Sequence, residues 1–223
     1  MQMAPPVSLA LPSKLRSLTD QLRALQQPSK AHLFNLVDTY GLTADDLEPW
    51  AHRNHPPGDS YGRRLVWRDT NVELMVMTWL PGDHSAIHDH GSAEWGAVQC
   101  LGRASHQRFT LEGQHLISQE KHPYAPGQIR WVDGSLIHQM GNSGTEPFLS
   151  LHVYGTSRDC ADITAAARVF NLESGCIETT NGGVFFDLPE SAVLSRQDGL
   201  TADPDLKREQ FILLQHRRRS ALG

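Results

Sequence analysis

Eight short segments rich in β-branched and aromatic residues follow one another between Tyr61 and Tyr154. Pro-Gly, Glu-Gly, Asp-Gly and Ser-Gly pairs fall between them, and these residues favour tight turns. Many short strands with turns at regular spacing are typical of an antiparallel sandwich or barrel. We therefore predict a mainly β fold, with strands over 61–67, 72–80, 95–101, 104–111, 115–118, 128–132, 136–140 and 148–154.

Helical periodicity flanks this region on both sides. Leucines recur at intervals of three and four after residue 13, which predicts a helix over 13–26 capped by Ser13. Similar patterns predict helices over 30–40, 43–53 and 203–219.

We expect the chain to have three parts. Residues 1–58 are predicted to form a helical extension packed on the barrel, 59–190 the barrel itself, and 191–223 a helical tail. Within the second part, 168–172 and 184–186 lie on either side of an Asn-Gly-Gly turn, which predicts one more hairpin.

The charge and the cysteines narrow the class of protein. A formal net charge of -5 offers no basic surface for nucleic acid, and we expect Arg217–Arg219 to be a solvated tail. No apolar run approaches the roughly 20 residues of a spanning helix, and the first residues lack the basic start of a signal peptide. Three cysteines without a CxxC pair favour a reducing compartment. We expect a cytoplasmic monomer or small homo-oligomer without nucleic-acid or membrane partners.

His88 and His90 are the first candidates for metal ligands. Side chains two residues apart on a strand point to the same face, so both imidazoles are expected to lie side by side. Such a pair suits a divalent first-row metal, namely iron, zinc, nickel or copper. His138, on a late strand, can supply a third nitrogen from across a closed barrel. The remaining histidines that we considered lack a pattern and are expected at the surface: His52, His55, His84, His106, His115 and His122.

Two further patterns carry polar side chains. Ser150, His152 and Tyr154 occupy alternate positions, so a hydroxyl, an imidazole and a phenol share one face of a strand and can pass hydrogen bonds along it. The alternative is an amphipathic strand whose polar face meets solvent. Upstream, Tyr61 and Arg63 also alternate, and the Arg63 guanidinium can grip a carboxylate with paired hydrogen bonds. Its alternative is an ordinary exposed strand arginine.

The histidine stretches resemble the two motifs of the cupin barrels. The first motif, with its Gly, His-x-His, Glu and late Gly, falls on Gly82, His88, His90, Glu94 and Gly102. The Gly, His and Asn of the second motif fall on Gly127, His138 and Asn142. Asp133 and Ser135 replace the Pro and the second Gly of that motif. The resemblance implies a metal-binding, jelly-roll-like antiparallel barrel.

Together with the relay residues, the chain resembles the thiol dioxygenases, of which cysteine dioxygenase is the best known. The resemblance implies Fe(II) as the cofactor, and a small carboxylate thiol and O2 as the substrates. It implies iron ligation by the three histidines, carboxylate binding by Arg63 beside Tyr61, and a relay along the third motif. The residues concerned are His88, His90, His138, Tyr61, Arg63, Ser150, His152 and Tyr154.

The chain also departs from the animal members of that family. Those members carry a cysteine after the His-x-His motif that becomes linked to the active-site tyrosine, whereas this chain has Glu94-Trp95-Gly96. We therefore expect no such crosslink, and Cys100 lies too far along the chain to replace that cysteine. Gly155 follows the relay in place of a Ser-Pro-Pro segment, which leaves 3-mercaptopropionate or mercaptosuccinate open as substrates. Relatives that act on 3-mercaptopropionate tend to have Gln where this chain has Arg63. The resemblance therefore favours L-cysteine as the substrate, and its product would be cysteine sulfinate.

Three questions stay open at this level. Glu94 lies four residues after His90, so on a straight strand it would share the face of the histidines and become a fourth ligand. A fourth, carboxylate ligand would favour a zinc or manganese isomerase or a dioxygenase that cleaves carbon-carbon bonds. A non-catalytic metal-binding sensor would explain the histidines equally well. The sequence does not decide whether Arg158 or Arg168 reaches the pocket, while Asp89, of opposite parity, is expected to face away and brace its strand.

Overall fold

The protein is described by a computed structural model that covers residues 10–56, 58–158, 160 and 162–220. Twelve strands occur in the described part of the chain, and all their pairings are antiparallel except that of β12 with β5. They are β1 (Gly62–Arg68), β2 (Val72–Trp79), β3 (Trp95–Cys100), β4 (Ser105–Glu112), β5 (His115–Lys121), β6 (Ile129–Asp133), β7 (Ile137–Gly141), β8 (Phe148–Gly155), β9 (Arg168–Asn171), β10 (Cys176–Thr180), β11 (Val193–Asp198) and β12 (Thr201–Ala202).

The strands form three sheets, with the orders β1-β2-β8-β3-β6, β12-β5-β4-β7 and β11-β10-β9. The main apolar core fills the interior between the five-stranded and four-stranded sheets. β2 and β8 are buried along their whole length because both of their faces are covered. Met75 and Met77 of β2 join the interior, while Leu74 and Val76 pack beneath the N-terminal helices. The structure confirms a mainly β, largely antiparallel fold with helices at both ends.

Helix α1 (Ser13–Leu22) ends four residues earlier than predicted, and Pro12 rather than Ser13 stands at its N-cap. Helix α2 (Lys30–Thr39) is capped by Ser29, whose side-chain oxygen accepts a hydrogen bond from the amide of His32. A capping box of Thr43 and Asp46 starts α3 (Ala44–Leu47), as its sequence indicates, and a 3₁₀ turn follows it. These helices cover the outer face of the five-stranded sheet.

The predicted hairpin between 168–172 and 184–186 is wrong. β9 pairs with β10, a strand that was not predicted, and β10 pairs on its other side with β11. The chain already reverses at Ser174-Gly175, so the Asn-Gly-Gly turn lies beyond the hairpin. Residues 191–223 are therefore not only a helical tail, since β11 and β12 pair with β10 and β5 before the last helix begins.

Helix α4 (Pro204–Ser220) is present where it was predicted. Leu206 and Leu214 are buried, and Leu206 packs with Phe109 and Leu116 of the four-stranded sheet, but Phe211 is exposed. The arginines at its end are not simply solvated: the Arg217 side chain is largely buried near Asp187, and Arg218 forms ion pairs. Among the described residues, no helix is both long and apolar enough to cross a membrane.

Candidate metal centre

Three histidine side chains converge inside the barrel. His88 and His90 lie in the extended segment between β2 and β3, and His138 lies in β7. The backbones of His88 and His138 exchange two amide-to-carbonyl hydrogen bonds of 2.9 Å, which hold the two residues side by side. All three side chains are buried, and one nitrogen of each lies within 4.8 Å of the other two. The structure therefore brings together the three histidines that the sequence singled out.

Burial keeps these imidazoles neutral. It lowers the pKa of His88 to about 4, and it lowers the pKa values of His90 and His138 well below their usual range. The Nδ1 atom of His88 lies 2.9 Å from the Ala86 carbonyl oxygen, to which it can only donate. Its Nε2 lone pair is therefore free, and neutral imidazoles with free lone pairs are ready metal ligands.

The arrangement fits a divalent first-row metal ion. The Nε2 atoms of His90 and His138 lie 3.0 Å apart, the separation expected of two nitrogens that bind one ion at about 2.1 Å and roughly a right angle. The His90 Nδ1 atom is buried without a hydrogen-bond partner of normal geometry among the described residues. A set of three imidazoles without a carboxylate suits iron, zinc or copper.

His106 lies in the interior, so the prediction that it lies at the surface is wrong. Its side chain is buried, and its Nε2 atom lies 3.0 Å from Nδ1 of His138. Burial lowers the pKa of His106 to about 4, so it is neutral and its Nε2 can accept a hydrogen bond from His138 Nδ1–H. That contact orients the His138 ring with Nε2 toward the other two histidines.

The relay of Ser150, His152 and Tyr154 lies on β8, with its three side chains in contact. Ser150 Oγ lies 2.7 Å from His152 Nε2, and His152 Nδ1 lies 2.9 Å from the Tyr154 hydroxyl. Ser150 and His152 are buried, which excludes the alternative of a solvent-facing polar strand. A fourth member, missed in the sequence, is Trp79, whose Nε1–H donates to Ser150 Oγ at 2.8 Å.

Trp79 sets the direction of this relay. An indole can only donate, so Ser150 must accept from it. The Ser150 hydroxyl hydrogen then points to His152 Nε2, and His152 Nδ1–H points to the oxygen of Tyr154. The opposite direction would leave the buried Ser150 hydrogen without an acceptor among the described residues. Burial lowers the pKa of His152 to about 3, which keeps it neutral, and the Tyr154 hydrogen is left free to point into the cavity.

The predicted substrate-binding residues line the same cavity as the candidate metal ligands. Its walls include Tyr61, Arg63, Tyr154 and the three candidate ligands. Tyr61 stacks on Trp79 with 4.7 Å between ring centroids. The Arg63 guanidinium donates to the Thr164 hydroxyl at 2.9 Å, and no described carboxylate lies within ion-pair distance of it. Thr164 also lines the cavity and was not identified from the sequence.

Glu94 does not belong to the metal site. Its carboxylate accepts hydrogen bonds from the Ser157 amide and hydroxyl at 2.8 and 2.6 Å, and it pairs with Arg158. The parity argument fails because the chain turns between His90 and Glu94: Gly91 has φ +59°, and the Ala93 amide bonds back to the His90 carbonyl. This turn directs Glu94 away from the histidines.

Neither Arg158 nor Arg168 lines the cavity. Arg158 pairs with Glu94, and Arg168 pairs with Asp89 at 2.6 Å. Asp89 also accepts a hydrogen bond from the Arg168 amide, which is consistent with the predicted bracing role, although part of Asp89 lines the cavity.

Neither cross-strand partner of Tyr154, Glu73 in β2 or Gly96 in β3, carries a sulfur. The register places Gly96 opposite Tyr154, while Cys100 lies opposite Ser150. A Cβ atom on Gly96 would lie 2.5 Å from the Val153 carbonyl and 3.2 Å from the Tyr154 ring, so close packing requires glycine here. The geometry agrees with the expectation that Cys100 forms no crosslink to this tyrosine.

Replacing Glu94 with Gln should leave the metal content unchanged and lower stability at neutral pH. The hydrogen bonds from Ser157, and then those from Arg158, lower the pKa of Glu94 from 4.5 to about 2. Its contribution to the free energy of unfolding is therefore complete above pH 4.5 and lost as the pH falls toward 2. We expect a loss of about 1 kcal/mol at pH 7 that shrinks in acid. Urea titrations across this pH range and metal analysis would check this, and reduced metal content would return Glu94 to the ligand set.

A family model described as cysteine dioxygenase type I matches residues 3–161. Cysteine dioxygenase type 1 of Homo sapiens is 25% identical over 155 residues, which is 66% of this chain and 78% of that protein. The Bos taurus protein of the same name is 26% identical over the same shares.

Two solved structures that the chain resembles are less similar in sequence. A conserved protein with a double-stranded β-helix domain from Klebsiella pneumoniae has a TM-score of 0.42 and 18% identity, covering 51% of this chain and 90% of its own. A cupin superfamily protein from Desulfitobacterium hafniense has a TM-score of 0.36 and 15% identity, covering 48% and 82%.

Proposed function

We propose a substrate and residue roles for this chain, which belongs to the cysteine dioxygenase type I family because the family model spans more than half of it. It is a non-haem iron thiol dioxygenase of the cupin type. The proposed reaction adds both atoms of O2 to the sulfur of L-cysteine and yields cysteine sulfinate. The observation that supports a thiol with a carboxylate is Arg63, a guanidinium without a carboxylate partner among the described residues, on the same cavity as three neutral imidazoles. The choice of L-cysteine among such thiols rests on the similarity to cysteine dioxygenase type 1.

His88, His90 and His138 are the proposed iron ligands, each through Nε2. The bound Fe(II) would supply a site for O2 and would lower the pKa of the substrate thiol so that it binds as the thiolate. His106 would hold the His138 ring by accepting its Nδ1–H, as outer-shell partners commonly do for metal-binding histidines. Three neutral ligands from the protein leave positions open for substrate and O2.

Arg63 and Tyr61 are proposed to bind the substrate carboxylate. A guanidinium offers paired N–H donors whose geometry matches a carboxylate, and it keeps its charge at any physiological pH. Burial raises the pKa of Tyr61 to about 12, so its phenol stays protonated and can donate as well. Holding the carboxylate at this end of the cavity places the sulfur near the histidines and lowers the entropic cost of reaction.

Tyr154 is proposed to donate its hydroxyl hydrogen to the reacting oxygen or to the substrate. Burial raises the pKa of Tyr154 well above its usual range, which keeps the phenol protonated. His152 donates its Nδ1–H to the phenol oxygen of Tyr154. Ser150 holds the other nitrogen of His152, and Trp79 holds Ser150. The chain of hydrogen bonds therefore presents Tyr154 to the cavity as a donor.

Oxygen uptake by the Fe(II)-loaded protein, measured in parallel with L-cysteine, 3-mercaptopropionate and mercaptosuccinate, tests this function. L-cysteine should give the highest kcat/KM, with sulfinate as the product by NMR. A higher value for either other thiol would transfer the assignment to it. No uptake with any of the three would leave the non-catalytic sensor as the better account, and zinc or manganese in place of iron in the purified protein would favour the other cupin enzymes.

Replacing Trp79 with Phe should lower kcat about tenfold and leave KM nearly unchanged. The substitution keeps an aromatic ring beside Tyr61 but removes the N–H that orients Ser150. Loss of an outer-shell partner typically costs 10- to 100-fold, which sets the expected size. Steady-state kinetics and a thermal melt would separate this effect from loss of packing. Unchanged kcat in a folded variant would remove Trp79 from the relay.

A further inference from the structure

A second polar cluster lies beside the metal centre, around the buried side chain of Glu73. Glu73 pairs in register with Tyr154 across β2 and β8, so both side chains lie on the interior face of the sheet. Its carboxylate is completely buried. Burying a carboxylate costs free energy of folding unless the group is paired and hydrogen-bonded.

Three groups satisfy this carboxylate. Arg68 forms an ion pair with it at 2.7 Å, the Ile163 amide donates to it at 3.0 Å, and Thr164 Oγ1 lies 3.2 Å from its second oxygen. The ion pair balances the charge. The other two contacts hold the segment around Thr164 against the mouth of the barrel.

Thr164 connects this cluster to Arg63. Its hydroxyl has one hydrogen, and the carboxylate oxygens of Glu73 and Asp162, each 3.2 Å away, are the acceptors available to it. Arg63 can only donate, and its nearer amino group lies 2.9 Å from the same hydroxyl. Thr164 therefore accepts a hydrogen bond from Arg63 and donates one to a carboxylate, because a guanidinium can only donate and a carboxylate can only accept.

The hydroxyl is also a neutral spacer between opposite charges. A carboxylate in direct contact with Arg63 would compete with a substrate carboxylate for the same N–H groups. Thr164 instead holds the guanidinium with one neutral hydrogen bond, and the guanidinium keeps its remaining donors for the cavity.

We propose that Thr164, held by Glu73, positions the Arg63 guanidinium and thereby sets the preference of the site for thiols that carry a carboxylate. This inference rests on the proposed function, because it assigns the selectivity of the same cavity. Thr164 acts as a positioning residue, since it works through Arg63. The competing account is that Thr164 only anchors its segment to the barrel.

Replacing Thr164 with Val tests the two accounts. The substitution keeps the branched shape and removes the hydroxyl, so we expect KM for L-cysteine to rise about tenfold with kcat within about twofold. Thr164→Ser, which restores the hydroxyl, should return KM to within about twofold of the wild type. Thr110→Val, at an exposed position of β4, is the matched control and should change neither constant.

A binding measurement separates positioning from anchoring. Under anaerobic conditions the Fe(II)-loaded proteins would be titrated by calorimetry with L-cysteine and with cysteamine, which lacks the carboxylate. Thr164→Val should weaken L-cysteine binding about tenfold and leave the Kd of cysteamine unchanged. Equal weakening for both thiols would support anchoring and overturn the proposal, as would failure of Thr164→Ser to restore binding.

The outcomes also distinguish this inference from the proposed function. If the wild type takes up no O2 with any thiol, the dioxygenase assignment fails, but the calorimetric comparison of the two thiols still decides the role of Thr164. If the wild type oxidises L-cysteine and Thr164→Val leaves both KM and Kd unchanged, only the positioning role fails. Should Thr164→Val not fold, Thr164→Ala removes the same hydroxyl with less bulk.

Discussion

Replacing His138 with Ala should remove iron from the protein and abolish O2 uptake with every thiol. His138 contributes one of three converging nitrogens, and its ring is the one placed against His90 at 3.0 Å. Loss of an outer-shell partner costs roughly 10- to 100-fold in metal affinity, and loss of a ligand itself should exceed that range. Iron content by mass spectrometry and uptake at an oxygen electrode, on protein reconstituted anaerobically, would measure both effects.

The matched control for this variant is His122→Ala. His122 is exposed near the end of β5, so its removal should change neither iron content nor activity. Circular dichroism would establish that His138→Ala is folded, and His138→Gln, which leaves a smaller cavity, provides a second variant if it is not. Full iron occupancy in folded His138→Ala would exclude this residue from the site.

The parts of the site that follow from local pattern could be predicted from the sequence. Ser150, His152 and Tyr154 share a face because β8 is regular over its whole length, so the period of two holds. There a periodic backbone carries the information from the sequence to the position of the side chain. The pairing of His88 with His138 is a contact between distant residues, and it was expected because the two histidines fall on the two cupin motifs.

The supporting residues could not be predicted in this way, because their partners are distant in the chain. His106 meets His138 across 32 residues, Trp79 meets Ser150 across 71, and Arg63 meets Thr164 across 101. No periodicity reports such contacts. Alternation does not single out His106 either, because His106 and its neighbour Gln107 are both buried in β4.

Glu94 shows the opposite failure, in which a valid periodic rule was applied across a break in the strand. The period of two holds only while the backbone stays extended, and the turn at Gly91 ends it before Glu94. A glycine directly after a His-x-His pair is therefore a reason to stop counting parity at the second histidine.

Replacing Arg63 with Ala should raise KM for L-cysteine about 100-fold with a smaller change in kcat. The guanidinium is the proposed partner of the substrate carboxylate, and loss of two charge-assisted hydrogen bonds corresponds to about 3 kcal/mol. Arg64→Ala is the matched control, since Arg64 is the next residue of β1 but is exposed, and it should leave KM unchanged. Steady-state O2 uptake over a range of L-cysteine concentrations measures both variants, and an unchanged KM in Arg63→Ala would contradict the carboxylate role.

The same variant shows which feature of the substrate the site selects. Cysteamine lacks the carboxylate, so Arg63→Ala should leave its KM nearly unchanged, and the wild-type preference for L-cysteine over cysteamine should shrink by about 100-fold. 3-Mercaptopropionate carries the carboxylate but no amine, so its KM should rise as steeply as that of L-cysteine. A steep rise for both carboxylate thiols would assign Arg63 to the carboxylate, and the ratio of their wild-type kcat/KM values would then measure recognition of the amine alone. If KM for cysteamine rose equally, Arg63 would act on the shape of the cavity rather than on the carboxylate.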